Sequence, residues 1–159
     1  MKKIKLTQGK CALVSDIDYT YLNQWKWYYH RGYARRTDRS GKQPRTILMH
    51  RIVLERILAQ SNFTHTDHRD LDGLNNQRRN LRPATQQQNG QNRGKQKNNT
   101  SGYKGVSWYP RDQQWVAKIR VNQRLLHLGY FTNKGDAAKA YNRAEKKYCG
   151  KFSSVRAAV

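Results

Sequence analysis

A polar stretch near the middle of the chain, residues 86–102, most constrains how this sequence can fold. It reads QQQNGQNRGKQKNNTSG, so it is rich in Gln, Asn and Gly and nearly free of apolar side chains. The later part of such a stretch cannot add to a core and is expected to be a solvated linker. We therefore predict two domains, residues 1–92 and 103–159, joined by a linker over residues 93–102.

Both predicted domains are strongly basic. The 159 residues include 32 Lys or Arg and 10 Asp or Glu, which gives a formal net charge of +22. Residues 1–92 carry +10 of this charge and residues 103–159 carry +9. An aromatic content of 11% argues against an unstructured basic tail. The charge therefore predicts a polyanionic partner that both domains touch.

Two classes of protein are excluded at this stage. No apolar run approaches the roughly 18 residues that a membrane span needs, and the start, MKKIKLTQGK, lacks the apolar stretch of a signal peptide. Cys11 and Cys149 are single and lie outside any CxxC, which excludes structural zinc of the usual spacing and a disulfide framework. We expect a cytoplasmic protein with no membrane partner.

Residues 1–92 read as short strands followed by a helix. The strands are expected around residues 4–7, 11–14, 25–30, 33–36 and 46–49, and the helix over residues 51–59. Trp25 and Trp27 could form a base-stacking platform, but aromatic residues that alternate along a strand are more often core. His50, at the start of the helix, is open to two interpretations, a phosphate contact and a structural residue.

Residues 103–159 predict three strands and one helix. Apolar and polar residues alternate over 115–122, which indicates a strand with one packed and one solvated face. Strands are expected at 103–109 and 124–130 beside it, and Thr132 is expected to cap a helix over about 133–148. A helix on one face of this sheet leaves Lys118 and Arg120 on the other face, free to enter a DNA groove. The alternative is a generic solvated basic face.

The segments SGYKGVSW, WVAKIRV, LHLGYF and DAAKAYNRAEKKYCG extend the pattern over nearly all of residues 101–155. They are similar to the plant ethylene-response-factor (APETALA-type) DNA-binding domain. The resemblance implies a three-stranded antiparallel sheet, packed on one helix, that lies in the major groove. It also implies DNA contacts by Lys104, Tyr109, Lys118, Arg120, Arg124 and His127. Ser107 and His127 differ from the arginine and tryptophan usual in the plant proteins, so the plant target sequence is not implied.

Residues 64–92, THTDHRDLDGLNNQRRNLRPATQQQNGQN, carry the candidate chemistry. Hydrolysis of a phosphodiester needs a base, a divalent ion and cations that hold the backbone. His68 can serve as the base near neutral pH, and the oxygens of Asp67 and Asn89 suit a hard ion such as Mg²⁺. The candidate backbone contacts are Arg69, Arg78, Arg79 and Arg82.

Residues 49–92 resemble the HNH nucleases of the intron-encoded, homing type. The shared signs are MHR at 49–51, DH at 67–68, DGLNN at 72–76, NLR at 80–82 and TxxQN at 85–89. The resemblance implies a ββα-metal (His-Me finger) fold around one metal ion. His68 is then the general base, Asp67 and Asn89 bind the metal, and Asn80 holds the loop through backbone hydrogen bonds. Independently, Thr85 and Gln88 form a capping box that predicts a helix start.

Two residues depart from the family pattern. Relatives usually have an apolar residue after the DH pair and a glycine two positions further on, where this chain has Arg69 and Leu71. An inward-pointing Arg69 would displace the strand that carries His68 and weaken the site.

The sequence thus predicts an α+β protein with two DNA-binding units. The favoured function is a monomeric, magnesium-dependent, site-directed endonuclease of double-stranded DNA that leaves 5′-phosphate and 3′-hydroxyl ends. The resemblance suggests a mobile element of a phage or bacterium. A second hypothesis is a DNA-binding transcription regulator whose nuclease is inactive. The third, an RNA-binding structural protein, explains the charge alone.

Overall fold

The computed structural model describes residues 1–60 and 64–154 of the chain. The described residues form a mixed α+β protein with small sheets and four α-helices, which confirms the α+β part of the predicted fold class. The chain divides into two compact units, Met1–Gln86 and Gln87–Val159. Residues 93–102, predicted as a linker, belong to the second unit.

The first unit contains three small sheets and two helices. Its helices are α1 (Asp16–Asn23) and α2 (Met49–Leu58). Its strands are β1 (Lys2–Lys5), β2 (Cys11–Val14), β3 (Tyr28–His30), β4 (Tyr33–Asp38), β5 (Arg45–Leu48), β6 (His65–His68), β7 (Asn75–Asn76) and β8 (Leu81–Ala84). The sheets have the orders β1-β2-β7, β3-β4-β5 and β6-β8. All pairings are antiparallel except that of β2 with β7.

The core of this unit lies between α2 and the strands. Apolar residues of α2 recur at helical spacing, so Met49, Val53 and Leu54 turn to one side and are fully buried. They join Val14 and Leu22 in a single cluster. Because α2 contacts β4, β5, β6, β7 and β8, the helix sets the positions of all three sheets.

Helix α1 was not predicted from the sequence. Half of the residues in its segment, DIDYTYLN, are polar, and its apolar residues do not follow the helical period. The helix depends on tertiary contacts, since Asp18 is fully buried and accepts hydrogen bonds from Arg56 and Arg78. The strand expected over residues 25–30 is also shorter in the structure, where β3 begins at Tyr28. The indole of Trp27 donates to the carbonyl of Leu22 at 2.8 Å and packs in the core, as expected for Trp27.

The second unit contains the predicted three-stranded antiparallel sheet, the helix that packs on it and a further short helix at its start. Its elements are α3 (Gln86–Gln91, which starts at the last residue of the first unit), β9 (Val106–Tyr109), β10 (Gln114–Val121), β11 (Arg124–Phe131) and α4 (Lys134–Cys149). The sheet order is β11-β10-β9. Ala117 and Ile119 of β10 pack against Ala137, Tyr141 and Ala144 of α4. The other face of β10 is therefore open.

Two local features of this unit follow from specific side chains. The cap of α4 is Asn133 rather than Thr132, because the Asn133 side chain accepts a hydrogen bond from the Gly135 amide at 2.6 Å. Gly105 has a φ of +69°, and a Cβ there would lie 2.0 Å from the Tyr141 ring. Glycine is therefore required where β9 begins.

None of the described helices has the length and apolar character needed to cross a membrane.

Candidate functional site

Strands β6 and β8 carry the residues that the sequence singles out. The ladder pairs Asp67 with Arg82 and His68 with Leu81. The side chains of Asp67 and His68 are buried, with exposures of 2% and 6%. The strands are followed by α3, so the chain has the order of a strand, a strand and a helix in this region. Polar groups are buried here at a cost, which the surrounding hydrogen bonds offset.

Asn80 fixes the loop between β6 and β8. Its Nδ2 donates to the carbonyl of Asn75 at 2.7 Å and to Asp70 Oδ1 at 2.8 Å. Its Oδ1 accepts from the amide of Asp70 at 3.1 Å, and its backbone carbonyl accepts from the amide of Arg69 at 2.9 Å. Asn80 thus ties together two points of the loop that follows His68.

The imidazole of His68 is oriented by Asn76, which is fully buried. His68 Nε2 lies 3.1 Å from Asn76 Oδ1. The Nδ2 of Asn76 lies near the carbonyl of Leu74 and the sulfur of Met49, at 3.4 and 3.5 Å, so the amide oxygen faces the ring. Since an amide oxygen only accepts, this orientation assigns the proton to Nε2 and the lone pair to Nδ1.

Burial also sets the charge of His68. Loss of solvent lowers the pKa of the imidazole, and the Asn76 hydrogen bond and the nearby Asp70 carboxylate oppose that shift only in part. The ring is therefore neutral at pH 7. A neutral imidazole in a fixed tautomer is the form that a general base requires.

Two further aromatic rings pack beside His68. His50 lies edge-on to His68 with 5.1 Å between ring centroids, and Tyr33 lies 5.3 Å from His50 and 6.0 Å from His68. Burial lowers the pKa of His50 to about 3, with smaller effects of His68, Arg51 and Arg35. Gly73 admits the Tyr33 ring, since a Cβ there would lie 2.7 Å from it.

Sequence reasoning missed Asn76 and Tyr33 as members of this site and left His50 open. The pattern DGLNN contains Asn76, but nothing in it distinguishes that residue from its neighbour Asn75. MHR contains His50, and only its burial against His68 shows that it has a structural place here.

Of the four arginines predicted to contact the DNA backbone, two form internal ion pairs and two are exposed. Arg82 Nε lies 2.6 Å from Asp67 Oδ2, with both side chains buried. Arg78 holds Asp18 with two nitrogens, each at 2.8 Å from a carboxylate oxygen. Arg69 and Arg79 are exposed. Arg69 is therefore exposed to solvent and not turned into the interior.

Leu71 is the second residue that departs from the HNH pattern, which predicts glycine at this position. Its φ is +69°, in the left-handed region that glycine adopts without strain. The side chain is half-exposed. The loop after His68 thus keeps the conformation that favours glycine even though a leucine stands there.

The predicted metal ligands are Asp67 and Asn89. Asn89 is half-buried in α3 and belongs to the second unit. Within residues 1–60 and 64–154, no group of three or more His, Cys, Asp or Glu side chains could hold a metal ion. One carboxylate and one amide oxygen suit Mg²⁺, which keeps several waters and takes further oxygens from a bound phosphate.

The open face of the second unit's sheet carries four of its six candidate contacts. Lys118 lies opposite His127 in the ladder, and both side chains are exposed with Arg120. The ring of Tyr130 lies 4.6 Å from His127 and 5.7 Å from Tyr109. Strands β9 to β11 contain no Asp or Glu. Arg124, also exposed, begins β11 at the end of the sheet.

Lys104 is only partly exposed, and its ammonium group is held inside the second unit although the residue borders Lys118 and Arg120. Its ammonium donates to Glu145 Oε1 at 2.6 Å, to the carbonyl of Gln91 at 2.7 Å and to Ser154 Oγ at 2.9 Å. Glu145 is fully buried. The structure thus places Lys104 in an internal ion pair, not among the exposed cations.

Comparison with known proteins adds no relative to these observations. No protein-family model matches the chain, and no curated protein matches it.

Proposed function

We propose that this protein is a metal-dependent, site-directed DNA endonuclease of the HNH homing type. The observation that carries the proposal is the buried, neutral imidazole of His68, whose Nε2–H is directed at Asn76 and whose lone pair lies on Nδ1. The ordered motifs around it, and the charge of +22, support a phosphodiester substrate.

In the proposed reaction, His68 Nδ1 accepts a proton from a water molecule as its oxygen attacks the phosphorus atom. The bond from phosphorus to the 3′ oxygen breaks and that oxygen takes a proton from solvent water, which gives 5′-phosphate and 3′-hydroxyl ends. Asp67 and Asn89 would hold a divalent ion, most suitably Mg²⁺, whose charge stabilises the leaving oxygen. In this proposal β6, β8 and α3 form the ββα-metal arrangement, and Asn80 keeps the loop in place.

The second unit supplies target recognition in this proposal. Its open sheet face places Lys118, Arg120, His127 and Tyr109 together and contains no acidic residue that would repel phosphate. A two-stranded or wider sheet surface fits the major groove, where base edges are distinguishable. Arg69 and Arg79 of the first unit would contact the backbone. The partner is double-stranded DNA, bound by a monomer.

One observation favours a second candidate, a DNA-binding regulator with an inactive nuclease. The carboxylate of Asp67 accepts a hydrogen bond from Arg82 at 2.6 Å, so a metal ion would have to share it with a guanidinium group. Charge repulsion between the two cations weakens metal binding.

The deciding experiment incubates purified protein with supercoiled plasmid and with genomic DNA of the source, with Mg²⁺ or EDTA. His68→Ala is the test variant, and His65→Ala, an exposed histidine of the same strand, is the matched control. Nicking that needs Mg²⁺, survives in the control and is lost in His68→Ala, with DNA affinity retained, supports the nuclease. Tight binding without cutting by any form supports the regulator.

A further inference from the structure

The segment between α3 and β9 borders a cleft in the second unit. The cleft has a volume of about 800 Å³, and its two walls come from this segment and from the open face of the sheet. Arg93 and Lys95 line the first wall, and Lys118 and Arg120 of β10 line the second. Residues predicted to be a linker therefore share a surface with the residues predicted to contact DNA.

This segment is attached to the second unit at its start. The ammonium of Lys104 donates to the carbonyl of Gln91, the last residue of α3, at 2.7 Å. The same ammonium is held by Glu145, a fully buried residue of α4. The start of the segment is therefore bound to the core of the unit by a charge-assisted hydrogen bond.

The segment is attached at its end as well. Asn99 accepts from the amide of Gly102 at 2.7 Å and donates to the carbonyl of Tyr103 at 2.9 Å. Ser101, only 4% exposed, donates to the carbonyl of Val106 at 2.8 Å. Residues 92–98 thus lie between two segments that are hydrogen-bonded to the second unit, and Lys95 within them donates to the carbonyl of Gly102 at 3.3 Å.

The charges of the residues that line the cleft indicate which kind of partner it can bind. Arg93, Lys95, Lys118 and Arg120 are exposed, and none of the described residues that line the cleft is acidic. The remaining lining is largely glycine and amide or hydroxyl side chains, including Gln96 and Asn98. Such walls offer hydrogen-bond donors and cations, the groups that contact phosphate and sugar in DNA complexes.

We propose that residues 93–98 are part of the DNA-binding surface, with Arg93 and Lys95 on the phosphates of the strand beside the groove that the sheet enters. The inference rests on the proposed function, since it takes duplex DNA as the partner of the sheet. In this proposal residues 93–98 are not a spacer between the two domains. They form one wall of the cleft that binds DNA.

The test uses the full chain, a labelled mixed-sequence DNA duplex and EDTA, with the dissociation constant measured over a range of KCl concentrations. The test variant is Arg93→Ala/Lys95→Ala. The matched control is Lys146→Ala/Lys147→Ala, which removes two exposed charges from α4 outside the cleft. We expect the cleft variant to bind roughly tenfold more weakly and to lose ~1.8 from the slope of log K against log salt, since each phosphate contact contributes ~0.9.

Equal affinity and equal salt slope for the two double variants would overturn the inference. An effect of the cleft variant on duplex RNA but not on duplex DNA would also overturn it. Asn99→Ala provides a second measurement, because it releases the end of the segment without changing the charge, and we expect weaker binding with a folded chain. If the unaltered protein fails to bind DNA at low salt, the proposed function fails instead, so the two failures are distinguishable.

Discussion

The imidazole ring of His50 meets the ring of His68 edge-on, with 5.1 Å between centroids and an angle of 88° between planes. His50 lies in the first turn of α2, and His68 is the last residue of β6. Their contact therefore joins the main helix of the first unit to the candidate site. Both rings are buried, and protonation of one disfavours protonation of the other. The pair is therefore neutral in the folded protein at pH 7.

Acid should destabilise the first unit in the range where these imidazoles titrate. Both pKa values are lowered by folding, so the unfolded chain binds more protons below about pH 6.5 and stability falls as pH falls. With a folded pKa of about 3 for His50, its contribution changes by ~1.4 kcal/mol per pH unit, or about 2 kcal/mol at pH 5. Urea unfolding between pH 5 and 7.5 measures this, above the range in which carboxylates titrate.

His50→Phe keeps a ring against His68 and removes the titrating group. We expect its stability to depend less steeply on pH over the same range. A wild-type protein whose stability is constant from pH 5 to 7.5 would contradict the assignment of two neutral imidazoles.

Asn76 is expected to act as a positioning residue for His68. Asn76→Ala removes the acceptor that keeps the proton on Nε2, so the lone pair is no longer confined to Nδ1. Orienting partners of metal-bound histidines are worth about 10- to 100-fold in activity, and we expect a reduction of the same order here. The reduction should appear in the cleavage rate at saturating DNA and not in DNA affinity.

A purely structural role for Asn76 would make different predictions. The ¹⁵N shifts of the His68 ring report the tautomer, and we expect them to change in Asn76→Ala while the fold is retained. An unchanged tautomer with a reduced rate would show that the hydrogen bond does not orient the base.

Leu71→Gly should stabilise the protein. Leu71 has a φ of +69°, which strains a residue with a Cβ by about 1–2 kcal/mol, and glycine removes that strain. The greater freedom of glycine in the unfolded chain costs about 0.5–1 kcal/mol, so the net gain is roughly 0.5–1 kcal/mol. Thermal unfolding of Leu71→Gly and Leu71→Ala separates the two effects, since alanine keeps the strain. A loss of stability in the glycine variant would show that the leucine side chain contributes packing that outweighs the strain.

Lys104→Met should unfold the second unit more easily and leave the salt dependence of DNA binding unchanged. The substitution leaves Glu145 buried without its cation, and breaking such a pair costs about 3–5 kcal/mol. The double variant Lys104→Met/Glu145→Leu should recover much of this loss. If Lys104→Met instead kept full stability and lowered the salt slope, Lys104 would be a phosphate contact after all.

Arg78 and Arg79 are adjacent in sequence and should differ in effect. Arg78→Ala removes two hydrogen bonds to the buried carboxylate of Asp18, so we expect a loss of about 2–4 kcal/mol in stability. Arg79 is exposed, so Arg79→Ala should be stable and lose about one unit of salt slope. Chemical denaturation and DNA titration of both variants measure these outcomes. Equal salt slopes for Arg79→Ala and wild type would exclude a phosphate contact.

The local pattern of polar and apolar residues was sufficient to predict the sheet of the second unit. Residues 114–121 alternate in polarity, and the structure buries Ala117 and Ile119 against α4 while Lys118 and Arg120 stay exposed. The period of a strand fixes which side chains share a face, so this relationship needs no knowledge of distant residues. Val116 departs from the pattern because it is buried on the open side, next to a bulge between Ala117 and Lys118.

The candidate site was only partly accessible to such reasoning. His68 and Asn80 stand in recognisable motifs, but the choice of Asn76 over Asn75 as the partner of His68 depends on the path of the loop that Asn80 ties down. Helix α1 and the burial of Asp18 depend on Arg56 and Arg78, which lie far along the chain. Contacts over such sequence distances leave no periodic signal.

The parallel pairing of β2 with β7 affects when the surroundings of His68 can form during synthesis and folding. Leu13 and Val14 pair with Asn75 and Asn76, which follow them by roughly 60 residues, so closing this ladder carries the entropic cost of a long loop. A chain leaving the ribosome exposes β1 and β2 long before Asn76 exists to meet His68. We therefore expect the imidazole to gain its orienting partner only when the first and last parts of the unit come together, so an incomplete chain would lack this arrangement of His68.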